Sequence, residues 1–322
     1  MSHRTFAVVG AGLAGLACAR RLVSAGHAVR VFEKARVPGG RVATRRAEQA
    51  AWDHGAQYFT VSAPAFAGLV RAAQQAGEAG TWDPRWAALE QEQRELWVGI
   101  PGINALPRWL GQGLDVVTAT RIVTLQKSGT AWTLRDDTGR GHGGFDFVVL
   151  ALPAPQAAVL AAGHSAAADR VAAVEMAPCW ALMLAFERPL GVPLDADWTP
   201  DPVLPWVARN SSKPRRSGLD AWVLHAGADW SRERLEAEPA EVKAVLLARF
   251  AEKLATALPP LAVAETHRWR HARVVRPLGE PCLLDDAAAL GFCGDWCLDA
   301  RVEAAFLSGD ALAAQLERRH AA

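Results

Sequence analysis

The stretch Thr5–Arg41 narrows this chain to few folds. An apolar, β-branched run, Thr5–Val9, leads directly into Gly10-Ala11-Gly12-Leu13-Ala14-Gly15, which has the spacing G-x-G-x-x-G. Leu16, Ala19, Leu22 and Val23 then recur at helical spacing as far as Gly26, and Ala28–Phe32 reads as a second strand. Glu33 stands at the end of that strand, where a βαβ dinucleotide fold puts the acid that takes ribose hydroxyls. In such a unit Gly10 allows the tight turn, Gly12 lets a pyrophosphate approach the backbone, and Gly15 lets helix and strand pack closely. The helix N-terminus adds free N–H groups and a partial positive charge. Ala7–Ala19 does not read as a targeting segment, because only His3 and Arg4 are basic before it and glycines interrupt it.

Bulk properties exclude several classes. With 322 residues, 51% of them hydrophobic, the length suggests two domains. Lys+Arg of 35 against Asp+Glu of 34 gives no basic surface for nucleic acid. No apolar run is long enough to cross a membrane. The five cysteines have no disulfide spacing, and Cys293-x3-Cys297 is neither a redox pair nor half of a metal site. We therefore expect reduced thiols, a cytoplasmic setting and no metal.

After Glu33 come Lys34 and then Gly39-Gly40-Arg41, which bring backbone and a guanidinium close to an anionic ligand. Asp53-His-Gly-Ala-Gln57-Tyr58-Phe59 reads either as a segment lining a flat ring or as core. Ser62–Glu95 is expected to be helical, and a helix should start at Asn104 or Pro107. Val116–Thr118, Arg121–Lys127, Ala131–Arg135 and Phe145–Leu152 read as strands. From Met176 to Val275 the texture is α+β: strands Trp180–Phe186, Val203–Ala208, Ala221–His225 and Ala262–Val274, with an amphipathic helix Pro239–Leu258. Trp180, Trp206, Trp222 and Trp269 there are either core or an aromatic wall. The strand Leu290–Cys293 then ends in Gly294-Asp295, before a closing helix Arg301–Arg318. The fold class is α/β, a Rossmann-type domain with an inserted α+β domain. Residues 1–62, 96–170 and 276–322 form the nucleotide-binding domain, and 63–95 and 171–275 the substrate domain.

Together these landmarks resemble the FAD-containing amine oxidase and phytoene-desaturase superfamily. Within it, Gly39-Gly-Arg41, Asp53-His-Gly-Ala-Gln-Tyr-Phe59, Gly99-Ile-Pro-Gly-Ile-Asn-Ala-Leu106, Trp206-Val-Ala-Arg-Asn-Ser-Ser-Lys-Pro214 and Cys293-Gly-Asp-Trp-Cys-Leu298 are similar to the renalase family, particularly its bacterial members. The resemblance spans nearly the whole chain. It implies a p-hydroxybenzoate hydroxylase-like fold, noncovalent FAD, and oxidation of 2- or 6-dihydroNAD(P) with O2 as final acceptor, giving NAD(P)+ and H2O2.

Carried over residue by residue, the resemblance implies Gly10, Ala11, Gly12, Leu13, Ala14 and Gly15 at the pyrophosphate and Glu33 with Lys34 at the adenosine ribose. It implies Gly40 and Arg41 at the phosphates, and Gln57 and Tyr58 by the flavin ring. Gly294 and Asp295 would meet the ribityl or pyrophosphate, and Arg301 and Val302 the pyrimidine edge. Asn210, His225 and Trp222, with aromatic cover from Tyr58 and Trp296, would face substrate. His225 reads equally as a satisfied core histidine. Arg209, Lys213, Arg215 and Arg216 read either as a lure for a phosphate-bearing substrate or as a solvated loop cluster. Where that family has Gly-Arg-Val-Glu-Gly, this chain has Ala300-Arg-Val-Glu-Ala304. Rival readings are an amine oxidase, which sandwiches its amine between aromatic rings and keeps a lysine near the flavin, and a redox-inert FAD-binding module. None of the five lysines stands in a persuasive place for the former.

Overall fold

A computed structural model describes residues 3–87 and 94–321. At its centre is a six-stranded sheet in the order Leu283–Asp285, Leu290–Phe292, Phe147–Leu150, Thr5–Val9, Ala28–Phe32, Asp115–Val117. All its pairings are parallel except the edge pair Leu283–Asp285 with Leu290–Phe292. Phe147, Val148, Val149 and Leu150 are all buried, as expected of a strand covered on both faces. The helix Leu13–Ser24 crosses between the first two strands and packs on the closing helix Val302–Ala321. Arg21 fastens the two helices by pairing with Asp310 at 3.0 Å and Glu317 at 2.8 Å.

The second layer is an antiparallel sheet in the order Ala196–Trp198, Trp206–Arg209, Asp220–His225, Met176–Phe186, Leu261–Val274. One face carries a core with Trp222, Leu224 and the helix Pro239–Leu254 through Val242, Leu246 and Phe250. The other face looks toward the nucleotide-binding layer. The hairpin Thr44–Arg46 with Ala51–Asp53 joins the two layers, and Trp52 Nε1 donates to the Leu184 carbonyl at 2.7 Å.

Two expectations are corrected. The helix in Ser62–Glu95 covers only Pro64–Gln75; Gly77, at φ 77°, ends it. Ala79–Trp82 then pairs antiparallel with Leu96–Gly99, because burial of Ala79 and Trp82 overrides local preference. Residues 88–93 of that stretch lie outside the described residues. The expected strand Phe145–Leu152 is two pieces, Gly141–Phe145 in a three-stranded meander and Phe147–Leu150 in the central sheet. Asp146 breaks the run, and its carboxylate accepts from Thr5 N and Oγ1, both at 2.8 Å.

Candidate active site

A cavity of about 1470 Å³ runs between the two layers. That exceeds the range of roughly 300–1,000 Å³ common for small-molecule sites, as a dinucleotide together with a substrate requires. The glycine loop forms its floor. Gly10 holds φ 107°, and a Cβ there would meet the Ala151 carbonyl oxygen at 2.6 Å. A Cβ on Gly15 would stand 2.0 Å from the Gly10 carbonyl oxygen, so helix and strand touch through it. Gly12 is different, because a Cβ there meets nothing within 4 Å. The open space is the cavity itself. No side chain caps the helix after Gly12, so its first N–H groups are left for a ligand. Glu33 fixes this loop, its carboxylate accepting from Ala11 N at 2.9 Å and Ala35 N at 2.8 Å. Arg41 reaches Asp295, and Nη1 donates to Oδ2 at 2.8 Å.

These residues fit a dinucleotide. Gly10, Gly12, Leu13, Ala14, Glu33, Lys34, Gly40, Arg41, Gly294, Asp295, Arg301 and Val302 all line the cavity, and so does His225. Ala11 is fully buried and does not line it, nor does Gly15. Ala300 lines it, while Ala304 points into the core, 1% exposed.

Besides Ala11 and Gly15, five expected site residues lie elsewhere. Asn210 is wholly buried, and its amide accepts from Asp53 N at 3.2 Å and donates to the Ala51 carbonyl at 2.7 Å. It ties the hairpin to the roof. Trp222 is buried on the helix face of the sheet against Phe250. Strand periodicity sends residues 222 and 225 to opposite faces, so His225 reaches the cavity and Trp222 cannot. Trp296 is buried with its Nε1 donating to the Leu152 carbonyl at 3.0 Å. Tyr58 packs with Trp206 and Trp82 at centroid distances of 5.7 and 6.4 Å, beside the cavity rather than in its wall.

Gln57 is buried in a charged cluster. Its amide donates to the Asp53 carbonyl, and its Oε1 accepts from Lys213 Nζ at 3.3 Å. Lys213 also lies 3.3 Å from Asp53 Oδ2, and Arg216 lies 2.6 Å from the same oxygen. So Lys213 and Arg216 are neither solvated nor free to bind phosphate. Burial lowers Lys213 to about 8, with Asp53 opposing. Burial pushes Asp53 up, but Lys213, Arg216 and the Ile103 N–H hold it below the usual carboxylate range.

The end of the cavity under the roof sheet is built from His54 and Trp269, which the sequence left open between ring lining and core, and from His267, which sequence reading missed. His54 stacks on Trp269 at 5.1 Å and 29°, and His267 meets Trp269 edge-on at 4.3 Å. Trp269 Nε1 donates to the His54 carbonyl at 3.0 Å. Among the described residues nothing hydrogen-bonds His54 Nδ1. Burial holds His54 down to about 3 and His225 and His267 to about 4. All three imidazoles are therefore neutral at physiological pH. Among the described residues no group of three His, Cys, Asp or Glu could hold a metal ion. A signal for this wall existed: alternation along Leu261–Val274 puts His267 and Trp269 on one face.

The model for an NAD(P)-binding Rossmann-like domain matches residues 8–73, and that for flavin-containing amine oxidoreductases matches residues 66–316. The chain belongs to the flavin-containing amine oxidoreductases. It is accordingly an FAD-dependent oxidoreductase. A protein from Exiguobacterium sp. 255-15, named a candidate protoporphyrinogen oxidase, superposes with a TM-score of 0.76 at 12% identity, over 99% of this chain and 100% of that one. Putrescine oxidase with bound putrescine gives 0.71 at 13% identity, over 99% and 100%. Cyclohexylamine oxidase from Brevibacterium oxydans IH-35A gives 0.73 at 11%, over 100% of both. At these identities the likeness shows the fold. A phytoene desaturase of Synechococcus elongatus is 50% identical over 46 residues, which span 14% of this chain and only 10% of that protein. No described helix of this flavin-containing oxidoreductase is long and apolar enough to cross a membrane.

Proposed function

We propose that the protein oxidises dihydronicotinamides, taking a hydride from 2- or 6-dihydroNAD(P) and releasing NAD(P)+, with O2 reduced to H2O2. The observation that carries this reading is the charge of the cavity wall. Eight of its described residues are Lys or Arg, and only Glu33 and Asp295 are carboxylates. Arg41, Arg45, Arg268, Arg270 and Arg301 are in ion pairs, which leaves Lys34, Arg121 and Arg273 as the cations without an ion pair among the described residues. Both carboxylates are already engaged, with backbone N–H groups and with Arg41 respectively. A protonated amine would find no carboxylate to offset its desolvation. A neutral dihydropyridine on a phosphate-bearing tail suits neutral imidazoles at one end and the cations Lys34, Arg121 and Arg273 along the cavity.

The structure also lacks an amine cage at Tyr58. Two rings that sandwich a ligand need about 7 Å between them, two van der Waals spacings, and the Tyr58 and Trp206 centroids are 5.7 Å apart.

Bound FAD would supply a hydride acceptor that O2 can reoxidise. In our assignment Gly10, Gly12, Leu13 and Ala14 hold its pyrophosphate, Glu33 its ribose, and Arg41 with Asp295 the region where phosphate meets ribityl. The protein's own work is to bind, to orient and to exclude water. Rearomatisation of the pyridinium drives the transfer, so no general base is needed. The test is anaerobic mixing of the purified holoprotein with 6-dihydroNAD, with NADH and with a panel of amines. Rapid loss of flavin absorbance with the dihydro isomer alone is expected; bleaching by an amine alone would overturn the reading.

A further inference from the structure

Neighbouring strands of the roof sheet set one row of side chains over the cavity. Trp206 pairs with His225, His225 with Ala181, and Ala181 with His267. Directly opposed residues share a face. Ala181 adds only a methyl, so His225 and His267 flank a gap roughly two strand spacings, or ~10 Å, wide. His225 and His267 both line the cavity.

The orientation of the His225 ring follows from its partner. Nε2 lies 3.0 Å from the His54 carbonyl oxygen. A carbonyl only accepts, so the hydrogen-bond network assigns the proton to Nε2. In the neutral ring Nδ1 is then a lone-pair acceptor. No described residue hydrogen-bonds that nitrogen. The same His54 carbonyl holds Trp269 across the gap, so one peptide group sets both walls.

We propose that His225, locked in the Nε2–H tautomer by the His54 carbonyl, is a specificity residue whose Nδ1 accepts an amide N–H of the substrate ring. This inference rests on the dihydronicotinamide reading and names the group recognised, the ring's primary carboxamide. Hydride transfer from a dihydropyridine takes no proton from the substrate, so His225 reads the ligand and is not a base. Burial keeps it neutral with a pKa of about 4, which suits an acceptor and not a proton acceptor at neutral pH.

The test is titration of oxidised holoprotein with NAD+ and with its 3-acetylpyridine analogue, followed by the flavin absorbance. The analogue keeps the carbonyl and lacks the N–H. Wild type should bind NAD+ about 10-fold more tightly, the worth of one hydrogen bond. His225→Asn places an amide oxygen near the Nδ1 position and should keep the preference. His225→Gln can still donate to the His54 carbonyl but loses the acceptor, and should abolish the preference, as should His225→Ala. A merely structural histidine gives the reverse pattern, with Gln restoring and Asn failing, and that result overturns the proposal. Equal binding of both ligands by wild type that 6-dihydroNAD still reduces rapidly removes the His225 assignment alone. No binding of either ligand and no reduction by 6-dihydroNAD removes both readings.

Discussion

The guanidinium of Arg41 and the carboxylate of Asp295, 254 positions apart in sequence, meet as a two-stranded pair with Nη1 2.8 Å from Oδ2. The contact closes the cavity between the glycine loop and the start of the last helix. The pair leaves no uncompensated charge at Arg41, which in the assignment proposed above holds the flavin's phosphates.

Removing that guanidinium should weaken FAD binding. A charge-assisted hydrogen bond is worth roughly 1.5–3 kcal/mol, so Arg41→Ala should raise the FAD dissociation constant by about 10- to 150-fold. Fluorescence titration of apoprotein with FAD reads this. Unchanged affinity would remove Arg41 from the cofactor site.

The fingerprint glycines should separate into two kinds. Gly15→Ala puts a methyl 2.0 Å from the Gly10 carbonyl oxygen, and the chain should fail to fold. Gly12→Ala meets no protein atom within 4 Å. Its apoprotein should melt within a few degrees of wild type while FAD affinity falls at least tenfold. Equal FAD affinity in a folded Gly12→Ala protein would contradict a pyrophosphate at this point.

Glu33→Gln tests the ribose acid and the loop together. The carboxylate accepts from Ala11 N and Ala35 N, and one of those acceptors becomes a donor in the amide. Weaker FAD binding is expected, with a modest fall in apoprotein melting temperature. A drop in stability with unchanged FAD affinity would make Glu33 a loop fastener only.

Lys213 should leave a mark on stability at alkaline pH. It titrates near 8 in the folded chain and at 10.5 when unfolded. Between those values the unfolded chain binds the additional proton, so this group makes stability rise with pH across the window. Relative to Lys213→Met, wild type should gain stability between about pH 8 and pH 10.5 by chemical denaturation. A pH-independent difference would mean that the buried ammonium keeps its ordinary pKa.

The glycine-loop end of the cavity was legible in the sequence as residues that come together, and the end under the roof sheet largely was not. Gly10, Gly12 and Glu33 belong to one strand–turn–helix–strand unit with Arg41 just beyond it, so spacing brings them to one cavity, whereas Asp295, 254 positions beyond Arg41, was expected there only from the family resemblance. Trp222 and Asn210 failed for a local reason. Trp222 falls on the opposite side of its strand from His225, and Asn210 spends its amide on the backbone of Ala51 and Asp53. Lys213 and Arg216 look solvated in sequence, and only the fold shows Asp53 delivered beside them by the hairpin. His54, His267 and Trp269 come from two distant elements. Their meeting depends on how the edge strand crosses the Asp53–Gly55 loop, which no local pattern encodes.

The chemistry should show little pH dependence at its hydride step. The titrating side chains around the ring end are His54, His225 and His267, all at about 3 to 4, His271, which burial lowers from the ordinary histidine value, and Cys179, which burial raises to about 12. Arg45 is a constant cation there, and Lys213 lies behind the wall. Between roughly pH 5 and 7 the reduction rate constant for a dihydronicotinamide should therefore be flat. A group titrating within that span in the rate profile would mean that a base takes part.

One measurement bears most directly on the central claim: stopped-flow reduction of the holoprotein by 6-dihydroNAD without oxygen, with the nucleotide product identified and peroxide measured once air is admitted. The account predicts fast flavin bleaching, one NAD+ per flavin and one H2O2 on reoxidation, with amines inert. Slow or absent bleaching by the dihydro isomer, alongside rapid reduction by an amine, would contradict it.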